Sequence, residues 1–154
     1  MAVEPEPSNA EITKKNIRNY PNIILLEAAI WNKNIPLKIV DKTVSKWAIR
    51  VKNTGYNETG TIHGITIDTI LKQSGYNYID ILKLDVEGSE AEIFYEGVDE
   101  WLRKTKCIII EFHDRFKEKC SKTFYKAIEK YSYHKLINGE NDILIFDHND
   151  QKSE

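Results

Sequence analysis

The stretch Lys83-Leu84-Asp85-Val86-Glu87-Gly88-Ser89-Glu90 gathers acid, base and glycine where an apolar run gives way to a turn. Side chains alternate across a strand, so Lys83, Asp85 and, if the strand persists, Glu87 fall on one side, about 6–7 Å between neighbours. In open α/β sheets ligands sit at the carboxyl ends of strands, and carboxylates placed there can take a proton from a reacting group. The run Cys107-Ile-Ile-Ile-Glu111-Phe-His113 ends in the same way, with Glu111 and His113 on one face. Two adjacent strand ends would then present carboxylates and an imidazole to one crevice.

Each of these residues also has a purely structural explanation. Asp85 and Glu87 fit a polar strand-to-helix turn with an internal Lys83 ion pair. A histidine such as His113 is more often satisfied by a backbone partner at a strand end than used as a base. Glu111 is harder to explain that way, because a carboxylate after three isoleucines must find a partner or a wet cavity. Glu90 and Glu92 are assigned to structure, since carboxylates in a first helical turn follow from capping and the helix dipole. Gly88 is conformational, and His63, His134 and His148 have no partner by spacing. In Val3-Glu4-Pro5-Glu6-Pro7, Glu4 is either a solvated end residue or an acid closing an early strand, the position that bonds ribose hydroxyls in nucleoside-binding α/β folds.

The elements that must position these groups are readable from periodicity. Ser8 with Glu11 three residues later is a capping-box pattern, predicting a helix from Ser8 to about Arg18 that Asn19, Pro21 and Asn22 break. The continuous apolar run from Asn22 to Ile30 reads as a strand buried on both faces. Leu37 to Val40 and Lys46 to Val51 read as a hairpin-like insertion, and Ile62 begins a further piece. Ile67, Ile70 and Leu71 predict a short helix ending near Gly75, followed by a core strand over 78–85. A second capping box, Ser89 to Glu92, opens a helix carrying Ile93 and Phe94 and ending at Gly97. Cys107 to His113 reads as a third buried strand, and Cys120, Phe124, Ala127, Ile128 and Tyr131 repeat at helical spacing. Tyr133 to Ile137 and Asp142 to Phe146 flank a turn at 138–141, an antiparallel pair. Strands alternating with helices predict an α/β fold, a mostly parallel sheet with an antiparallel C-terminal strand pair. One domain is expected over 1–147, with a polar tail over 148–154.

Composition narrows the function classes. With 41% apolar and 30% charged residues in 154, the chain has the make-up of an ordinary soluble domain. The 24 acidic and 22 basic residues nearly cancel and the pI is about 6.1, which does not favour a nucleic-acid partner. No run approaches the roughly 18–20 apolar residues of a membrane span, and the first ten residues lack the basic start of a signal peptide. A cytoplasmic location is expected. Cys107 and Cys120 make no Cys-x-x-Cys pair, and there is no His-x-x-x-His, so no metal ligand set is assigned from spacing.

Together, Val3-Glu4-Pro5, Asn16, Ala28-Ala29-Ile30, Ile67-Asp68 and above all Ile81-Leu-Lys-Leu-Asp-Val-Glu-Gly-Ser-Glu90 resemble the FkbM-type family of S-adenosylmethionine-dependent methyltransferases. The resemblance runs from Val3 to about Phe146, with Glu111-Phe112-His113 where the family's next strand ends. It implies a Rossmann-like class I methyltransferase sheet and O-methylation of hydroxyls on sugars or secondary-metabolite-like acceptors. It also implies S-adenosylmethionine as cofactor, with Glu4 on the ribose hydroxyls, Ala29 lining the adenine and Asp85 near the methionine part. Asp85, Glu87, Glu111 and His113 then face the acceptor, with Asp85, Glu87 or His113 as the base. The family's first strand and its Asp-x-Gly-x-Asn-x-Gly loop would precede Val3, so an N-terminally truncated domain is expected, with unpaired strand edges open to self-association. Two other readings stay open: an inactive, truncated module that acts in binding or without function, and metal-dependent phosphoryl transfer or hydrolysis at Asp85, Glu87 and Glu111. The insertion between Pro36 and Gly64, with Trp47 and Tyr56, would shape an acceptor pocket or merely pack beneath a loop.

Overall fold

The computed structural model of the chain describes residues 1–39, 51–53, 60–115 and 117–147. They fall into two compact units, Met1–Thr66 and Ile67–Glu154. Trp47 and Tyr56, most of the Lys46–Val51 strand and the 148–154 tail lie outside the described residues.

In the first unit, β1 (Ala2–Val3) leads into α1 (Pro7–Ile17). The N-cap is Glu6 rather than Ser8: its carboxylate accepts from the Asn9 backbone N–H at 2.8 Å, and Ser8 lies inside the helix, its hydroxyl bonded to the same carboxylate. Pro7 accounts for the shift, because its fixed φ and missing N–H suit the first helical position. The apolar run from Asn22 to Ile30 is not one strand. It splits into β2 (Leu25–Leu26), parallel to β1, and β3 (Ala29–Ile30), which belongs to another sheet, with Ile24 53% exposed. Between them the Ala28 N–H turns back to the Leu26 carbonyl at 3.0 Å, and Glu27 reaches Lys14 at 2.9 Å. A charged residue inside an apolar run is thus the point where the chain changes sheets.

β3 pairs in parallel with β6 (Thr61–Ile65), which pairs antiparallel with β4 (Pro36–Ile39), and β4 in turn pairs antiparallel with β5 (Val51–Asn53). Ala29, Trp31 and Leu37 make the core of this unit, flanked by Ile35, Val51 and Ile62.

The second unit begins with α2 (Ile67–Ser74), which buries Ile67 and Leu71 and ends at Gly75, φ 74°. β7 is shorter than expected, Leu82–Leu84, with Ile79 making an isolated bridge to Thr105 and Ile81 65% exposed. Then come α3 (Glu90–Ile93), α4 (Asp99–Leu102), β8 (Cys107–Glu111), α5 (Cys120–Ile128), β9 (Tyr133–Asn138) and β10 (Asn141–Phe146). The Ser89 capping box does not form. Ser89 is in the αR region and its side chain makes no cap bond, while Glu92 is ion-paired to Lys117.

The sheet order is β7-β8-β10-β9, with β7 parallel to β8 and the remaining pairs antiparallel. The hairpin expected at the C-terminal end is present, closed by a two-residue loop whose first residue, Gly139, has φ 61°. β8 is not buried on both faces: Ile108 and Ile110 are fully buried, whereas Cys107, Ile109 and Glu111 on the other face are half-buried. The buried face carries Leu84 and Leu144; α3 and α5 pack on each other, and Phe94 meets Trp101 and Phe124 edge to face at 5.6 and 4.7 Å. Cys120, Phe124 and Ile128, one stripe of α5, are completely buried.

The described residues therefore form an α/β fold with mixed sheets rather than a mostly parallel one. The departure comes from the short strands β4, β5 and β6, since β4 pairs antiparallel with both of the others. β7 has β8 on one side and, among the described residues, no strand on the other. No helix among them is long and apolar enough to cross a membrane.

Candidate functional site

β7 and β8 run in parallel register, Leu84 opposite Ile110, so their carboxyl ends lie side by side and release Asp85 and Glu111 next to each other. Phe112 and His113 follow, and His113 folds inward to 1% exposure. The Nε2 atom of His113 stands 3.7 Å from Asp85 Oδ1, 3.5 Å from Glu87 Oε2 and 3.5 Å from Glu111 Oε1. The four residues expected to face a single crevice are brought together. Lys83 is 3.6 Å from Asp85, with both side chains about half exposed, forming a solvated rim.

Glu87 reaches this cluster by a turn and not by strand alternation. Its φ is 51°, and Gly88 follows at φ 96°. The left-handed region costs a residue with a Cβ about 1–2 kcal/mol, which surrounding contacts must offset. Gly88 meets no such penalty, which is why glycine fits the second position. The turn leaves Glu87 Oε2 buried with no hydrogen-bond partner. Burial pushes the Glu87 carboxyl above the usual carboxylate range, against the opposing pull of His113, and the Asp85 and Glu111 charges push the same way as burial.

Glu90, assigned to structure on sequence grounds, also joins this cluster. It is fully buried, and its Oε1 lies 2.7 Å from His113 Nδ1 and accepts the Gly88 N–H at 3.3 Å. An ionised carboxylate only accepts, so with Glu90 in that form Nδ1 is the donor of this bond, while Nε2 faces Asp85, Glu87 and Glu111. The signal was in the spacing: Glu90, Ile93 and Phe94 are i, i+3 and i+4, one helical face, and both apolar partners are buried. Glu92, on the side of that turn facing Lys117, is ion-paired to it.

The other two expected residues lie in the Met1–Thr66 unit. Glu4 ends β1 half-buried; its Oε1 accepts the Glu6 N–H at 2.9 Å, which fixes the carboxylate at the strand end. Ala29 is 4% exposed in the core with Trp31 and Leu37, opposite Gly64 in the β3–β6 ladder. A depression of about 460 Å³ beside α2, lined by Lys72, Tyr76, Tyr78 and Lys104, contains none of these groups.

A strand end bearing Asp-Val-Glu-Gly-Ser-Glu, set beside a second ending Glu-Phe-His, is the arrangement the resemblance demanded. The family model described as the methyltransferase FkbM domain matches residues 1–138. The chain belongs to the FkbM methyltransferase family. Comparison with curated proteins and with solved structures finds no match. Asp85, Glu87, Glu111 and His113, backed by Glu90, all lie within the span that the FkbM model matches.

Proposed function

We propose that this FkbM domain transfers a methyl group from S-adenosylmethionine to a hydroxyl oxygen of a small molecule or glycan, a sugar or secondary-metabolite-like acceptor. The observation that carries the reading is the convergence of three carboxylates on His113 Nε2 at the ends of two parallel strands. The cofactor supplies the electrophilic methyl group. What the chain must supply is alignment of the acceptor oxygen, exclusion of water and a destination for the hydroxyl proton.

Glu87 is the group suited to take that proton. Its Oε2 is buried and has no hydrogen-bond partner, and burial raises its basicity. Asp85 and Glu111 accept hydrogen bonds from the acceptor's hydroxyls and so orient it. His113, anchored through Nδ1 to Glu90, stands among the three carboxylates. In the Met1–Thr66 unit Glu4 fits the cofactor's ribose: one oxygen is occupied by Glu6, which leaves Oε2 to accept from a hydroxyl of the diol.

The test is transfer of labelled methyl from S-adenosylmethionine by the whole chain to a panel of hydroxylated acceptors, sugars included. Label should appear on oxygen, and Glu87→Gln should lower kcat by about 10²- to 10⁴-fold with KM little changed. Label found only on nitrogen or carbon, or a Glu87→Gln variant of unchanged kcat, sinks the reading.

A further inference from the structure

We propose that Asp85, Glu111 and His113 bind one divalent transition-metal cation at the carboxyl ends of β7 and β8. The ligand atoms these residues offer all lie within 4.8 Å of one another. Metal bonds to nitrogen and carboxylate oxygen are about 2.0–2.2 Å long, so neighbouring ligands on one ion stand about 3.0–3.5 Å apart. The His113 Nε2 contacts at 3.5 and 3.7 Å lie at or just beyond the upper end of that range and are long for hydrogen bonds. Asp85, 44% exposed, is at the open side and is the ligand with room to rotate inward.

The His113 imidazole is held in place from behind. It is 99% buried, directed into the cluster, and tied through Nδ1 to Glu90, itself fully buried, at 2.7 Å. A carboxylate on the far nitrogen of an imidazole is the arrangement that fixes a metal-binding tautomer and raises its basicity. Glu87 Oε2, buried without a hydrogen-bond partner, faces the same Nε2 at 3.5 Å. With all four carboxylates ionised, a protonated His113, Arg115 near Glu87 and Lys83 at the solvated rim still leave an excess of negative charge. A divalent ion would balance it. One nitrogen with two carboxylates favours manganese, iron, cobalt or zinc over magnesium or calcium.

The role of such an ion rests on the methyl-transfer reading: bound to the acceptor hydroxyl it would lower that group's pKa and hand Glu87 an easier proton. Binding itself does not rest on it, so the experiment uses neither cofactor nor acceptor. The whole chain, freed of metal, is titrated with Mn²⁺ and followed by the electron paramagnetic resonance of the free ion, with Zn²⁺ by calorimetry. One site per chain is expected, at least tenfold weaker in the Asp85→Asn, Glu111→Gln double variant, whose fold is checked by circular dichroism. Glu90→Gln, which alters the imidazole's partner without touching the ion, should weaken binding about 10- to 100-fold. Absence of saturable Mn²⁺ and Zn²⁺ binding, or binding of equal strength in a folded double variant, overturns the proposal.

Discussion

The Cys120 thiol lies at the start of α5 with no exposure, behind the carboxylate that holds His113. Burial, and then the neighbouring Glu90, pushes its pKa up to about 12. At pH 8 only about one thiol in 10⁴ is then ionised, and thiolate is the species that reacts. Labelling of Cys120 by a thiol reagent at pH 8 should proceed no faster than unfolding and accelerate with urea; rapid labelling in native buffer would show that the back of the Glu90–His113 pair is open. Thus the same burial that isolates the thiol also excludes water from the hydrogen bond that orients the imidazole. Asp85, Glu111 and His113 were legible because strand alternation and strand-end position are written in residue spacing, whereas Glu87, expected on the same side if the strand persisted, arrives by a left-handed turn. Glu90 was not legible, because a carboxylate in a first helical turn is ordinarily explained by the helix dipole, and its place on the apolar face decided otherwise.

At the scale of elements, Gly64 shows how tightly β6 is held between its neighbours. A Cβ there would lie 2.7 Å from the Ile35 carbonyl oxygen and 2.9 Å from Leu37 Cδ1, and backbone cannot yield as a side chain tip does. Gly64→Ala should destabilise by about 1–3 kcal/mol, lowering Tm by about 2–4 °C for each kcal/mol, read by thermal unfolding. An unchanged Tm would mean that the β4–β6 pairing is looser than the Gly64 N–H to Ile35 bond of 2.8 Å implies. Helices α2 and α5 and the β9–β10 hairpin were legible in the sequence, since their apolar stripes and turn glycine act locally. The split of the run from Asn22 to Ile30 was not. Continuous hydrophobicity reports burial, and it does not distinguish one strand through a sheet from two short strands that serve different sheets.

For the molecule as a whole, alternation of strands and helices gave the α/β class, but strand direction depends on what each connection does in space. The antiparallel pairing of β4 with β5 and β6, beside the parallel pair β3–β6, makes that sheet mixed. Family membership over residues 1–138 says more about chemistry than sheet direction does, and it bears on the two compact units differently. Glu4 belongs to Met1–Thr66, while every residue of the acid–imidazole cluster belongs to Ile67–Glu154. If Glu4 accepts from the cofactor's ribose, the complete chain should bind S-adenosylhomocysteine with a micromolar to millimolar Kd. Hydrogen bonds to a charged acceptor contribute about 1.5–3 kcal/mol, so Glu4→Ala should weaken that binding about 10- to 150-fold in calorimetry. The same variant should leave Mn²⁺ affinity unchanged, because none of the cation's ligands is altered. Tight S-adenosylhomocysteine binding unaffected by Glu4→Ala would remove Glu4 from the cofactor site. A well-folded chain with no detectable binding would instead favour a module that keeps the family's architecture and acts by interaction alone.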